Sequence, residues 1–137
     1  MKPSVLYRIA AVLLLLFAIG HTLGFRQIDP KWGVDSLIGS MQSLHFDAQG
    51  FRRTYWDFFV GFGLFVGVFQ LFAAVLAWQL GGQSKETLRL MPVVTWSLAI
   101  CFGGVTVLCW LYFFIVPIIL SAVITLCLIL AAWLAGK

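Results

Sequence analysis

Apolar residues along the chain gather into four long segments separated by short polar stretches. The segments run from about Val5 to Phe25, Phe58 to Trp78, Leu90 to Tyr112 and Val116 to Ala135. A hydrocarbon core about 30 Å thick is crossed by about 20 helical residues, and each segment has that length. Because backbone polar groups must be paired within the segment in lipid, we predict transmembrane helices over about residues 5–25, 55–79, 90–112 and 116–135.

The boundary between the third and fourth segments needs a separate argument, because no charged residue lies between Leu90 and Ala135. One helix over that length would be about twice as long as the membrane is thick, so the chain must turn back. Proline disfavours helix in the residue before it and suits the first turn of a new helix. Pro117 therefore predicts a tight turn at Phe113 to Val116.

The first loop, from Arg26 to Arg53, is the longest stretch between the apolar segments. Apolar residues recur in it at helical spacing with serines and Gln42 between them: Val34, Leu37, Ile38, Met41 and Leu44. This pattern predicts an amphipathic helix over about residues 35–46 with Asp35 as its N-cap. We expect this helix to lie on the membrane surface or over the mouth of the bundle.

Composition agrees with a single integral membrane domain over residues 1–137. The chain is 62% hydrophobic and 10% charged, whereas soluble domains carry about 25% charged residues. The predicted fold class is therefore all-α: a four-helix transmembrane bundle with a surface helix in the first loop. The nine Lys and Arg residues form no basic stripe, so nucleic acid is not an expected partner; the expected partner is the lipid bilayer.

Three cysteines lie inside apolar segments: Cys101, Cys109 and Cys127. They show no C-x-x-C spacing and no histidine lies near them, so the sequence predicts neither a disulfide framework nor a metal site. Buried cysteine acting as a small apolar side chain is the expected role.

Basic residues near the ends of the spans bear on orientation. Both termini and the loop Gly81 to Arg89 share one side of the membrane, with five Lys or Arg residues: Lys2, Arg8, Lys85, Arg89 and Lys137. The opposite side carries four: Arg26, Lys31, Arg52 and Arg53. The positive-inside rule thus favours cytoplasmic termini by one residue.

The stretch R-R-T-Y-W-D, residues 52–57, has a structural interpretation as the beginning of a helix. Thr54 and Asp57 have the spacing of a capping box, with Asp in place of the usual Glu or Gln. Arg53 and Asp57 are four residues apart and can pair on one helix face. Tyr55 and Trp56 are typical of the membrane–water interface.

The same stretch also has a functional interpretation, because other ionisable residues converge on this side of the membrane. His21 ends the first helix, His45 is predicted to end the surface helix, and Arg52, Arg53 and Asp57 begin the second span. Such a cluster can bind an anionic headgroup, polarise a carbonyl or relay a proton, with His21 and Asp57 as acid–base candidates. A haem between His21 and His45 is a poorer alternative, since one histidine would lie in a surface helix. The cofactor, if any, is not identified by the sequence.

Glycines at four-residue spacing indicate close helix packing. Gly20 and Gly24 form a G-x-x-x-G on the first helix, and Gly63 and Gly67 form another on the second. Small residues at this spacing allow transmembrane helices to approach closely. Gln70 continues the second stripe, and we expect it to hydrogen-bond across to a neighbouring helix.

The motifs G-H-T-L-G-F and W-D-F-x-x-G-F-G-L resemble those of an uncharacterised group of small bacterial four-helix integral membrane proteins. The resemblance covers the end of the first helix and most of the second, about a third of the chain. It implies the fold and a location in the bacterial inner membrane, and it implies no reaction.

Three hypotheses for function follow. The first is a membrane protein that binds a lipid-like or other apolar small molecule at a polar-capped mouth of the bundle. The second is a non-enzymatic accessory subunit, whose glycine faces dock a partner protein in a larger membrane complex. The third is a membrane-embedded enzyme or a small transporter, the transporter acting as a homodimer. Transport is weakened because only the neutral Gln70 lies near mid-membrane.

Overall fold

The computed structural model describes residues 2–137 and is built around four long helices. In chain order the helices are α1 (Pro3–Gly24), α2 (Asp35–Ser43), α3 (Tyr55–Leu80), α4 (Lys85–Arg89), α5 (Pro92–Tyr112) and α6 (Ile115–Gly136). Four of them, α1, α3, α5 and α6, are long and apolar enough to cross a membrane. The all-α prediction is confirmed, and the pattern is that of a multi-pass membrane protein.

A two-residue connection joins α5 to α6. Phe113 and Phe114 are extended, and the chain is helical again from Ile115. Pro117 is the third residue of α6, in the first turn, where a missing N–H costs no intrahelical hydrogen bond. Away from this connection, the hydroxyls of Thr106 and Thr125 lie 2.9 Å apart and link α5 to α6.

The contacts within the chain group into two compact units, although the sequence predicts one domain. Unit 1 comprises Met1–Phe17 with Gln70–Lys137, and unit 2 comprises Ala18–Phe69. The long helices α1 and α3 contribute to both units, and each unit is described by itself below.

Unit 1 is a helix bundle with an apolar core. Alanines with no exposed surface occupy the contact faces of all four long helices: Ala10, Ala77, Ala99 and Ala131. Small side chains at such positions let helices approach closely without a gap. Tyr7 and Phe102 are the largest fully buried side chains and fill the space between the alanines.

The short helix α4 is an element that the sequence analysis does not predict. Ser84 is its N-cap, with the hydroxyl accepting from the Thr87 N–H at 3.2 Å. Leu88 is 1% exposed and belongs to the core of unit 1. The loop between α3 and α5 is thereby fixed to the bundle, and Pro92 then occupies the first turn of α5.

In unit 2 the surface helix is shorter than the sequence predicts. Helix α2 ends at Ser43, and Leu44 is already extended because the chain enters a strand. Asp35 is not the N-cap: Val34 takes that position without a side-chain cap, and Asp35 lies in the first turn. A carboxylate there is still favoured by the helix dipole. None of the α2 residues is buried.

A β-hairpin follows α2, where the sequence predicts only the end of a helix and a loop. Strand β1 (His45–Ala48) pairs antiparallel with β2 (Phe51–Thr54), and His45 lies opposite Thr54. Gln49 and Gly50 both have positive φ, 57° and 88°, as in a type I′ turn that matches the twist of the strands. Asp47 supports the turn by accepting from the Gly50 N–H at 2.9 Å.

Candidate functional site

The start of α3 is built by a reciprocal capping box. Asp57 Oδ2 accepts from the Thr54 N–H at 2.8 Å, and Thr54 Oγ1 accepts from the Asp57 N–H at 3.1 Å. Thr54 is 5% exposed, whereas Asp57 is exposed on the surface. Two backbone donors at the helix end are thus satisfied. Asp57 stabilises the helix start and still presents a carboxylate to its surroundings.

The two arginines of the stretch lie in β2 and are exposed. Arg53 Nη1 donates to the Arg52 carbonyl at 3.2 Å, and its guanidinium lies 5.4 Å from the centre of the Phe51 ring. The expected helical ion pair between Arg53 and Asp57 is not formed. The four-residue spacing predicts this pair only if both residues lie in one helix, whereas Arg53 belongs to β2 and Asp57 to the first turn of α3.

His21 connects the end of α1 to α3 within unit 2. Its Nε2–H donates to the Gly63 carbonyl at 2.8 Å, and its ring stacks on Phe25 with centroids 5.2 Å apart. The side chain is half-buried. This arrangement engages one imidazole nitrogen in a structural hydrogen bond.

His45 lies at the start of β1 and not at the end of a helix, which corrects its predicted place. It is exposed, and its Nδ1–H donates to the Ser43 carbonyl at 2.9 Å. This local contact closes the connection between α2 and the hairpin. Its strand partner is Thr54 of the capping box, so the hairpin carries His45 to the start of α3.

An aromatic cluster holds the hairpin against α3. Phe46 of β1 packs on Tyr55 and Phe58, with centroid distances of 5.0 and 5.9 Å. Trp56 and Phe59 stack at 5.1 Å on the next positions of the helix. The cluster positions Arg53 relative to the first turn of α3, because Arg53 pairs with Phe46 in the hairpin.

The start of α3 carries an open groove of about 280 Å³. Arg53 and Asp57 lie at its polar end, and the rest is lined by Phe58, Gly61, Phe62 and Phe65. The groove thus joins two opposite charges to an apolar surface of aromatic rings. The sequence also predicts His21, His45 and Arg52 as members of the site, but these three residues do not line the groove.

The aromatic lining is the part of the site that the sequence analysis missed. Phe58, Gly61, Phe62 and Phe65 recur at helical spacing, the signal of one continuous helix face. Phenylalanine recurs along α3 from Phe58 to Phe72 and is not confined to one face, so the spacing alone did not distinguish this face. Of the three glycines in α3, only Gly61 has open space beside it, because a Cβ placed there would have no neighbour within 4 Å.

The two glycine pairs differ in their surroundings. A Cβ on Gly63 would overlap the Phe25 ring, and one on Gly67 would come 2.8 Å from Thr22 Oγ1. These glycines allow α1 and α3 to approach closely in unit 2. Gly20 and Gly24 have no atom within 4 Å of such a Cβ. Within residues 2–137, Gly20 and Gly24 therefore make no close helix contact of the kind expected of them.

Gln70, in unit 1, does not make the hydrogen bond expected of it. The side chain is 3% exposed, and its Oε1 is buried without a hydrogen-bond partner among residues 2–137. The Tyr7 hydroxyl is buried near the Thr95 side chain without a well-formed hydrogen bond. The spacing correctly places Gln70 on a buried face of α3, but no donor among residues 2–137 reaches its Oε1.

Within residues 2–137, no group of three or more His, Cys, Asp or Glu side chains is arranged to hold a metal ion. The three cysteines are free, and Cys109 is buried. The chain matches no family model, no curated protein and no solved structure. Function must therefore be argued from the site itself.

Proposed function

We propose that the protein is a small multi-pass membrane protein that binds an amphipathic, lipid-like ligand in the groove at the start of α3. The observation that carries this proposal is the division of the groove into a charged end, with Arg53 and Asp57, and a wall of phenylalanines. Ligand sites are mostly apolar with a few polar groups that orient the ligand. In this proposal the headgroup of the lipid contacts Arg53 and Asp57, and its acyl chain lies along the phenylalanine rings.

The charges at the mouth favour a headgroup that carries both signs. Arg53 and Asp57 line the same groove without pairing with each other. The guanidinium offers a planar set of donors for a phosphate or carboxylate, and Asp57 can accept from an ammonium group. Zwitterionic lipids are therefore the class of ligand that we propose. His21 supports the site by holding α1 against α3, and we propose no reaction.

The test uses Gly61, which lies in the groove and has open space beside it. A Cβ at Gly61 would meet no atom within 4 Å, so we expect Gly61→Leu to be accommodated and to fill the groove. Gly20→Leu is the matched control, because Gly20 also has open space but lies on α1, outside the groove. Native mass spectrometry of the proteins purified in mild detergent measures the lipid mass that each retains. We expect the wild type and Gly20→Leu to retain it and Gly61→Leu to lose it.

Two outcomes oppose the proposal. Equal retention by Gly61→Leu and the wild type would place the bound lipid elsewhere. A wild type free of added mass after bulk lipid is stripped would indicate that no ligand is held. Thermal unfolding of both leucine variants serves as the control for folding.

One observation favours the second hypothesis, an accessory subunit, and equally a homodimer. Only 17% of the α3 span is buried, against 28% for α5 and 44% for α1 and α6. Phe62 and Phe65 are 66% and 75% exposed. A partner helix on this face would cover the same rings as a lipid. A larger mass of the purified complex, lost in Gly61→Leu, would identify a protein as the occupant.

We further propose the bacterial inner membrane as the location, with both termini in the cytoplasm. Unit 1, which contains the termini, has five basic residues and one acidic residue. Unit 2 has four of each. The positive-inside rule counts Lys and Arg near the spans: the termini and the loop 81–89 carry five and the loop 26–53 carries four, so the rule favours cytoplasmic termini by one residue. Cysteine labelling of Lys137→Cys from each side of the membrane tests this topology.

A further inference from the structure

A second groove, of about 430 Å³, lies in unit 1 beside the start of α1. The lining residues from α1 are Ser4, Val5, Arg8, Ile9, Val12 and Leu13, and Gly81 completes the lining. Val5, Ile9 and Val12 are spaced as successive turns of a single helix face. Their exposed fractions are 45%, 42% and 49%. Ile9 and Val12 thus form an apolar track that continues along α1 from Arg8, and Val5 lies one turn before the arginine.

Arg8 is held in place at the head of this track. Its guanidinium lies 3.7 Å from the centre of the Trp78 ring, a close cation–π contact. Its stem passes over Gly81, where a Cβ would come 3.0 Å from Arg8 Cγ and Cδ. At Gly82 a Cβ would come 3.3 Å from Nη2. The glycines therefore leave room for the arginine against the turn after α3.

The guanidinium of Arg8 has no anionic partner within residues 2–137. No hydrogen bond or ion pair joins it to another of residues 2–137, and its ring contact is with Trp78. Glu86 is the one acidic residue of unit 1, and its contacts are with its own backbone, Ser84 and Lys85. The in-plane donors of Arg8 are consequently available to an external acceptor.

We propose that this groove binds an anionic phospholipid, with the phosphate on Arg8 and an acyl chain along Ile9 and Val12. Charge complementarity supports this occupant, because unit 1 has five basic residues and one acidic residue. The planar guanidinium matches phosphate with two parallel hydrogen bonds. Basic pockets beside membrane helices are a known recognition mode for anionic lipids. The site is in the other unit and does not depend on the α3 groove.

The test compares two lipids with identical acyl chains: dioleoyl phosphatidylglycerol, which is anionic, and dioleoyl phosphatidylcholine, which is zwitterionic. Each is titrated into the full chain in mild detergent, and native mass spectrometry gives the apparent affinity of the first bound lipid. Arg8→Gln removes the charge and keeps a side chain that can hydrogen-bond. We expect Arg8→Gln to lower the affinity for phosphatidylglycerol about fivefold, which is the effect of one basic residue near an anionic surface. The affinity for phosphatidylcholine should not change.

The matched control is Arg26→Gln, which removes one positive charge from unit 2. It should leave both affinities unchanged. If Arg8→Gln and Arg26→Gln lowered the affinity for phosphatidylglycerol equally, the effect would come from the overall charge of the protein, and the proposal would be overturned. An Arg8→Gln protein that bound phosphatidylglycerol as tightly as the wild type would overturn it as well.

A second variant keeps Arg8 intact and tests the apolar track. Val12→Phe adds bulk on an exposed position of the groove, so the fold of the bundle is preserved. We expect weaker binding of phosphatidylglycerol because the acyl chain is displaced. An unchanged affinity in Val12→Phe would show that the chain does not lie in this groove.

Discussion

Thr54 and Asp57 show how one residue can serve both the fold and the site. Each accepts the backbone N–H of the other, so the pair ends β2 and begins α3. Asp57 uses one oxygen for this purpose and also lines the groove. The structural and functional interpretations of residues 52–57 are therefore compatible, and variants can separate them.

Thr54→Ala and Asp57→Asn should have opposite effects on stability and binding. Thr54→Ala removes a capping acceptor, and we expect the free energy of unfolding to fall by about 1 kcal/mol with the ligand retained. Asp57→Asn keeps an oxygen that can accept the Thr54 N–H but removes the charge at the groove. We expect it to fold normally and to lose ligand. Thermal unfolding and native mass spectrometry measure the two properties.

An Asp57→Asn protein that retained its ligand would assign Asp57 to the cap alone. Thr54→Ser provides the control, since it keeps the hydroxyl that accepts the Asp57 N–H. It should behave as the wild type in both measurements.

Single residues also mark where the sequence was insufficient. Gln70 has the spacing of a buried position, and it is buried. Whether a hydrogen-bond partner faces it depends on the rotation of the neighbouring helices, which one sequence does not encode. Asp35 is a residue type that favours the N-cap position. The helix nevertheless begins at Asp35 itself, so that Val34 is the N-cap residue.

At the scale of elements, the close approach of α1 and α3 in unit 2 depends on Gly63. A Cβ at this position would overlap the Phe25 ring, which also stacks on His21. Gly61 lies two residues earlier on the same helix and has open space beside it. The two glycines form a matched pair for testing helix packing.

We expect Gly63→Ala to destabilise the protein by about 1–3 kcal/mol, because an overpacked contact forces side chains to move. Gly61→Ala should be neutral or stabilising by up to about 1 kcal/mol, because alanine favours helix over glycine. Reversible unfolding in detergent micelles measures both. Equal effects of the two substitutions would contradict the close packing of α1 on α3.

The elements differ in how well the sequence predicts them. The four long helices follow from apolar length, because lipid leaves the backbone no alternative. The hairpin was missed because its strands have four residues each and its turn is Gln49–Gly50, not the Asn-Gly or Asp-Gly that signals a type I′ turn. Helix α4 was missed because five residues are too few to show a period.

At the scale of the whole molecule, net charge is divided unequally between the units. Unit 1 accounts for all of the net +4, and the charges of unit 2 cancel. The proposed ligands follow this division: an anionic lipid beside Arg8 in unit 1, and a zwitterionic one beside Arg53 and Asp57 in unit 2. Counting charges along the chain predicts this difference, but the grooves themselves depend on side-chain shape.

The most direct test of the central claim is a photo-crosslinking map of the bound lipid. The protein is reconstituted with phosphatidylethanolamine that carries a diazirine in one acyl chain, and labelled peptides are identified after irradiation. Occupation of the groove at the start of α3 predicts preferential labelling of residues 58–65, abolished in Gly61→Leu and preserved in Gly20→Leu. Labelling spread evenly over the exposed faces of α1, α3, α5 and α6 would contradict it, because that is the result expected from bulk lipid alone.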